Sequence, residues 1–226
     1  MNRLRRVLRR DREAGVSITE MIVTMALLSV ATTLMLVLVV TVSRAFTHER
    51  TATDNAMVAS NGMNELTRVI RSGTSLQLTG IDPLQPPFVV AGKNSIELYA
   101  YIDTGATNPR PIKVRFDVDG QGRVRETRWQ AANTKSPWTF STTPSSRTIA
   151  RSVPAGSPQL FRYFNTAGDE LAVPSTGTLT AANRELVAAV KINLTVQSDT
   201  TSRVDPVELQ NTVGIPNLGV SRVIRP

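Results

Sequence analysis

The sequence predicts an α+β protein: a long N-terminal helix, membrane-spanning in its first half, packed on an antiparallel β-sheet domain. Three observations carry this reading. An uncharged stretch of membrane length begins at Met21. Helical-period apolar residues continue beyond it to Ile70. After Gly73 the pattern changes to short β-branched and aromatic runs separated by turn signals. The expected organisation is a basic leader (1–15), a transmembrane helix (16–43), an amphipathic continuation (44–72) and a β-rich domain (73–226).

The leader holds six arginines (Arg3, Arg5, Arg6, Arg9, Arg10, Arg12) against Asp11 and Glu13, half of the formal +8 of the 226-residue chain. The remaining excess is spread over a long region with no basic stripe. Such a distribution argues against a nucleic-acid partner. From Met21 to Val42 there are 22 residues without charge and five hydroxyls. At about 1.5 Å per residue they reach roughly 33 Å, enough for a hydrocarbon core of about 30 Å. The run is too long for a secretory signal, and Val42-Ser43-Arg44-Ala45-Phe46 is a poor cleavage site. Arginines on the N-terminal side place the leader in the cytoplasm and the rest, from about residue 44, outside.

Glu20 is the exception to this apolar character. A carboxylate within a membrane helix costs about 2.5–3.5 kcal/mol even on insertion scales. One reading is local: Ser17-Ile18-Thr19-Glu20 fits a capping box with Ser17 as N-cap. The other uses Gly15, whose lack of a side chain suits a narrow protease subsite. A cut after Gly15 gives Val16 a free α-amine. The amine of a neighbouring subunit then pairs with Glu20, offsets both desolvation costs and sets the axial register.

Ala45, Ala52, Ala56, Ala59, Met63, Leu66 and Ile70 form an apolar stripe, expected to pack on the chain's own sheet. Gly62 reads as an interruption and a bend, and Ser72-Gly73 as the helix end. Strands are expected at 75–78, 88–91, 95–103, 112–118, 123–130, 148–153, 159–165, 186–197 and 207–213. Hairpins turn at 119–122 and 165–169, and 131–144 reads as loop.

No catalytic chemistry is legible. The chain lacks cysteine and has a single histidine, His48, in the helical stalk. No G-x-S-x-G, phosphate-binding loop or dinucleotide fingerprint occurs, so neither an enzyme nor a cofactor is expected. Asp117 and Asp119 in "DVDGQG" resemble the start of a calcium loop, but the later oxygen ligands are missing and DG is a strong hairpin signal. Trp129, Trp138, Phe140, Tyr163 and Phe164 are expected in the core rather than on a binding platform.

The leader, the glycine, "VSITEM" and the apolar helix together resemble the class III signal of type IV prepilins and type II secretion pseudopilins. Less specifically, "NGMNELTRVIRS", "IELYAYID", "LFRYF" and "LQNTVGIPNL" resemble the J- and W-type minor members. The resemblance implies a pilin-like fold. It also implies cleavage by prepilin peptidase between Gly15 and Val16, N-methylation of Val16, and Glu20 as the carboxylate needed for assembly. Val16 stands where the family usually has phenylalanine. The implied partners are the membrane, other pilin or pseudopilin subunits, prepilin peptidase and the inner-membrane assembly platform. The implied product is a filament serving secretion, adhesion or DNA uptake. The alternative is a permanently anchored extracytoplasmic binding domain that does not assemble.

Overall fold

The structure is a computed structural model and describes residues 16–103, 105, 107–175, 177–199 and 204–216. Two compact units are distinguished, Met1–Glu49 and Arg50–Pro226. One helix, α1 (Ile18–Arg71), contributes to both. In the first unit its described residues are exposed throughout. This helix is long and apolar enough to cross a membrane, and none of its most apolar window is buried.

In the second unit α1 buries Asn55, Ala59, Gly62, Met63, Leu66, Val69 and Ile70. The steps of three and four residues keep them on one face. This corrects the expected stripe at its N-terminal end, where Ala56 is exposed and Ala52 half-buried. Alanine offers little apolar area there, whereas Asn55 Oδ1 accepts a hydrogen bond from Ser198 N at 3.2 Å. Gly62 is not a bend but part of the buried face. The helix ends as expected, with Ser72 N and Gly73 N donating back to the carbonyls of Val69 and Ile70.

Eleven strands and one short helix follow among the described residues: β1 (Leu76–Leu78), β2 (Ile81–Gln85), β3 (Phe88–Ala91), β4 (Ser95–Ala100), β5 (Ile112–Val118), β6 (Val124–Gln130), β7 (Ser145–Ala150), β8 (Phe161–Phe164), β9 (Glu170–Leu171), α2 (Ala181–Glu185), β10 (Ala189–Val196) and β11 (Val207–Gly214). They form a two-stranded sheet β1-β2, a five-stranded sheet β3-β4-β5-β6-β7 and a four-stranded sheet β11-β10-β8-β9. Every pairing within these sheets is antiparallel.

Both expected hairpins form. β5 and β6 pair from Ile112–Gln130 to Val118–Val124 around Asp119–Arg123. β8 and β9 pair around Asn165–Asp169, where the Asn165 side chain accepts from Ala167 N and Asp169 N.

Three departures have local causes. β2 escapes a sequence reading because Pro83 removes a ladder donor, which suits a strand paired only with β1. α2 precedes the strand expected from residue 186 and had no counterpart in the sequence reading; the Thr180 side chain caps it by accepting from Asn183 N, and the strand itself begins three residues later than expected, at Ala189. β7 lies three residues earlier than expected, since Ser145 and Ser146 pair with Arg128 and Thr127. It ends before Ser152, whose φ of 63° is left-handed.

The main core joins α1 to the inner faces of the two larger sheets, through residues such as Leu66, Ile70, Phe88, Phe116, Phe161 and Ile192. Gly62 lies at the closest point. A Cβ built there meets Ala150 Cβ of β7 at 2.9 Å and Leu194 Cδ2 of β10 at 3.1 Å. A second, smaller cluster on the opposite face of the five-stranded sheet gathers Leu76, Tyr99, Tyr101, Ala131 and Trp138. It follows from the period of two: Leu98 and Ala100 point to the main core and Tyr99 away from it.

Gly62→Ala tests the close approach. Helix propensity alone favours alanine by about 1 kcal/mol, whereas overpacking costs about 1–3 kcal/mol. Ala150 Cβ is attached directly to the backbone and has little room to yield. The expected outcome is a net loss of about 1 kcal/mol in chemical denaturation, with a larger loss for Gly62→Val. A gain in stability for Gly62→Ala would overturn the packing argument.

Candidate functional site

The N-terminal end of α1 is the region to which the sequence assigned a role. Gly15 and the leader lie outside the described residues. Val16 and Ser17 precede the helix, and Met21 N donates to Ser17 O at 3.0 Å in the first turn. Ser17 is thus the residue before the helix, but the capping box does not close. Its hydroxyl pairs with Thr19 Oγ1 at 2.7 Å. The Glu20 side chain is exposed and has no hydrogen bond or ion pair among the described residues.

The other polar side chains of the apolar run are satisfied. Thr24 and Ser29 donate to the carbonyls three residues back. Thr32, Thr33 and Thr41 donate to those four residues back. Such back-bonding leaves no free hydroxyl donor facing an apolar medium. Glu20 is therefore the one polar side chain between Met21's neighbour and Val42 that the helix does not satisfy. The helix dipole favours a carboxylate in the first turn by about 0.3–1 kcal/mol. That is less than the roughly 2.5–3.5 kcal/mol that an apolar environment costs it.

The remaining candidates resolve into structure. Asp119 Oδ1 accepts from Gln121 N at 2.9 Å and Arg123 N at 3.0 Å, and Oδ2 accepts from Arg123 Nε at 2.8 Å. The Arg123 backbone bond, helped by the Arg123 side chain and Gln121 N–H, holds this carboxyl below its ordinary range. Asp117 pairs with Arg125. These carboxylates serve the hairpin. His48 is exposed, and no three His, Asp or Glu side chains converge among the described residues.

The five aromatics do not form one platform. Tyr163 is buried edge-on to Phe88 and donates to Gly92 O at 2.8 Å. Trp138 and Phe140 pack on Tyr101 and Tyr99. Trp129 lies beneath Lys113 Nζ, and Phe164 beside Arg162. A groove of about 350 Å³ beside the 119–122 turn has, among the described residues, Asp119 as its only titratable side chain. No acid–base or nucleophile pair converges in it.

One cluster was not anticipated. The Glu126 side chain is 0% exposed on the inner face of the five-stranded sheet. It accepts from Arg128 Nε and from Arg147 Nε. The same two arginines reach Glu65 on α1, through Nη2 at 2.7 and 2.8 Å, and Arg68 joins them. Burial raises the Glu65 carboxyl. The Arg68 hydrogen bond and the charges of Arg68, Arg147 and Arg128 outweigh it, and the group titrates below its ordinary 4.5. The hydrogen bond to Glu126 holds Arg147 above its ordinary value. The sequence did carry a signal: Glu126 follows Val124 by two residues and so shares its inward face.

No protein-family model matches the chain, and no curated protein matches it.

Breaking a buried ion pair costs about 3–5 kcal/mol. Arg147 is 55% and Arg128 24% exposed, so both retain access to water once Glu126 is neutralised. Glu126→Gln is therefore expected to destabilise the domain by about 2–3 kcal/mol in urea unfolding. Glu65 has a folded-state value below its unfolded one. Its contribution is present above the ordinary 4.5 and lost as pH falls through the folded value. Glu65→Gln should make stability fall less steeply in acid, read from denaturation midpoints below pH 5. An unchanged acid limb would contradict the assignment.

Proposed function

We propose that this chain is a structural subunit, a minor pilin or pseudopilin, processed between Gly15 and Val16. It is then assembled into a type IV pilus-like or type II secretion filament. The observation that carries the reading is the isolation of Glu20. The helix satisfies every hydroxyl between Met21 and Val42, yet it leaves a carboxylate without a partner at the start of a membrane-length apolar face. A group so placed is stabilised by a cation from outside the chain.

Cleavage after Gly15 creates that cation as the α-amine of Val16, and N-methylation keeps it basic. The amine of one subunit neutralises Glu20 of the next, which fixes their stagger. The apolar residues from Met21 to Val42 exchange lipid for neighbouring helices of equal polarity, so leaving the bilayer carries little hydrophobic cost. Before assembly the chain is a single-pass membrane protein, its N-terminus cytoplasmic and its β-rich domain extracytoplasmic. No enzymatic role is part of this reading. Prepilin peptidase and the inner-membrane assembly platform are the partners it requires.

Intact mass and N-terminal sequencing of the chain extracted from its native membranes test the processing. The expected product begins at Val16 and carries one added methyl group. A chain still beginning at Met1 in cells with an active prepilin peptidase sinks the proposal and favours the permanently anchored alternative. Glu20→Ala should abolish incorporation into filaments while leaving the unfolding transition of the β-rich domain unchanged. Normal incorporation would show that Glu20 is not the assembly group.

A further inference from the structure

Among the described residues, β1, β2, β3, β7, β9 and β11 lie at sheet edges. An open edge is a template for another strand, so proteins shorten, bend, charge or cover it. The first five are protected in one of these ways. On β1, Trp138 N donates to Gln77 O at 2.8 Å. β2 contains Pro83. β3 is covered by residues 178–179, with Leu179 N donating to Ala91 O at 2.8 Å. β7 is irregular at Ile149 and carries Arg147. β9 has two residues. β11 has none of these guards. It runs for eight residues, pairs with β10 without a break, and contains no proline, lysine or arginine.

The ladder decides which backbone groups of β11 face outward. Ile215 N donates to Ala188 O at 3.1 Å, in the same register that pairs Val213 with Val190 and Leu209 with Leu194. Bonding alternates along an antiparallel pair, so the odd-numbered residues of β11 bond β10. Glu208, Gln210, Thr212 and Gly214 therefore turn N–H and C=O to the open side, and all four residues are exposed. Outside the β10 ladder their backbone groups form no hydrogen bond among the described residues. Val207, Leu209 and Val213 alternate with them and pack toward the main core. Asp205 and Glu208, at the start of the strand, are exposed and have no hydrogen bond or ion pair among the described residues. Residues 204–216 contain no base to balance them.

We propose that β11 is a strand-addition site for an extended segment of a partner protein. The segment runs antiparallel to β11, sets apolar residues beside Val207, Leu209 and Val213, and carries lysine or arginine at its C-terminal end. The outward backbone groups supply its affinity. The two carboxylates fix its register and reject acidic segments. This inference is independent of the filament reading.

The probe is the synthetic peptide VTVTNTVKIK, labelled with fluorescein at its N-terminus and read by anisotropy on the full chain in detergent micelles. Laid antiparallel on β11, it sets its first lysine opposite Glu208 and its last valine opposite Leu209. Saturable binding is expected. N-methylation at its three threonines, whose amides face β11, should weaken binding roughly a hundredfold. N-methylation at its second and third valines and its asparagine, whose amides face away, should leave binding nearly unchanged. Asp205→Lys with Glu208→Lys, both at exposed side chains, should weaken binding roughly tenfold. Glutamates in place of the peptide's lysines should then recover it. Absence of saturable binding, equal effects of the two methylation patterns, or indifference to charge reversal overturns the proposal. Self-association that displaces the peptide as chain concentration rises, read by analytical ultracentrifugation, would make a second copy the occupant and overturn the assignment to a partner.

Discussion

The close approach at Gly62 is the constraint on which the domain depends. The two larger sheets meet α1 along a line where β7 and β10 both touch the helix, and only a residue without a side chain fits there. From that point the rest follows by helical steps. Ala59 and Leu66 reach the apolar inner faces. Glu65, one turn from Gly62, reaches the arginines of β6 and β7. Thr67 reaches β11, accepting from Asn211 Nδ2 at 3.0 Å. A bulkier residue at 62 would lift the helix and weaken all of these together.

Much of this architecture was legible because it rests on local rules. The change of period at Gly73, the helix end, and the two hairpins are set by turn chemistry and alternation, and those act within a few residues. What escaped depends on distant partners. Gly62 reads as a helix breaker until Ala150 and Leu194 are seen opposite it. The buried face near Asn55 is shifted from the alanine stripe by a hydrogen bond 143 residues away. Glu126 lies in a strand rich in charge, and its burial follows from two arginines whose convergence with Glu65 no spacing reveals. α2 was not read at all, because five residues give too little periodicity to mark a helix.

At the other end of α1 legibility ran the opposite way. The sequence singled out Glu20 by its contrast with its neighbours, and the structure sharpens that contrast. Hydroxyls are short enough to bond the preceding turn of their own helix, so they are compatible with an apolar medium at little cost. A glutamate in the first turn has no preceding turn to bond, and its charge is not cancelled by backbone dipoles alone. The same logic separates Glu20 from Glu126. Both are carboxylates in apolar settings, but one is neutralised within the chain by two guanidiniums and the other has no cation among the described residues. That difference is why Glu126 reads as part of the fold, and it is what the proposed role of Glu20 rests on.

The choice of arginine at 128 and 147 bears on what the buried cluster does. Replacing buried ion pairs with well-packed apolar groups is often neutral or stabilising, so the cluster is poorly explained as a source of stability alone. Its geometry points elsewhere. Each guanidinium gives Nε to Glu126 on the sheet and Nη2 to Glu65 on the helix. The fork is planar and rigid, so both contacts are met in few orientations, whereas an ammonium would accept many. An apolar ridge slides and rotates against a sheet with little change in buried area. Two such bridges do not. They select one rotational setting of residues 50–71 on the sheets, and in that setting the uncharged face of Thr53, Met57, Ser60 and Asn64 is turned outward.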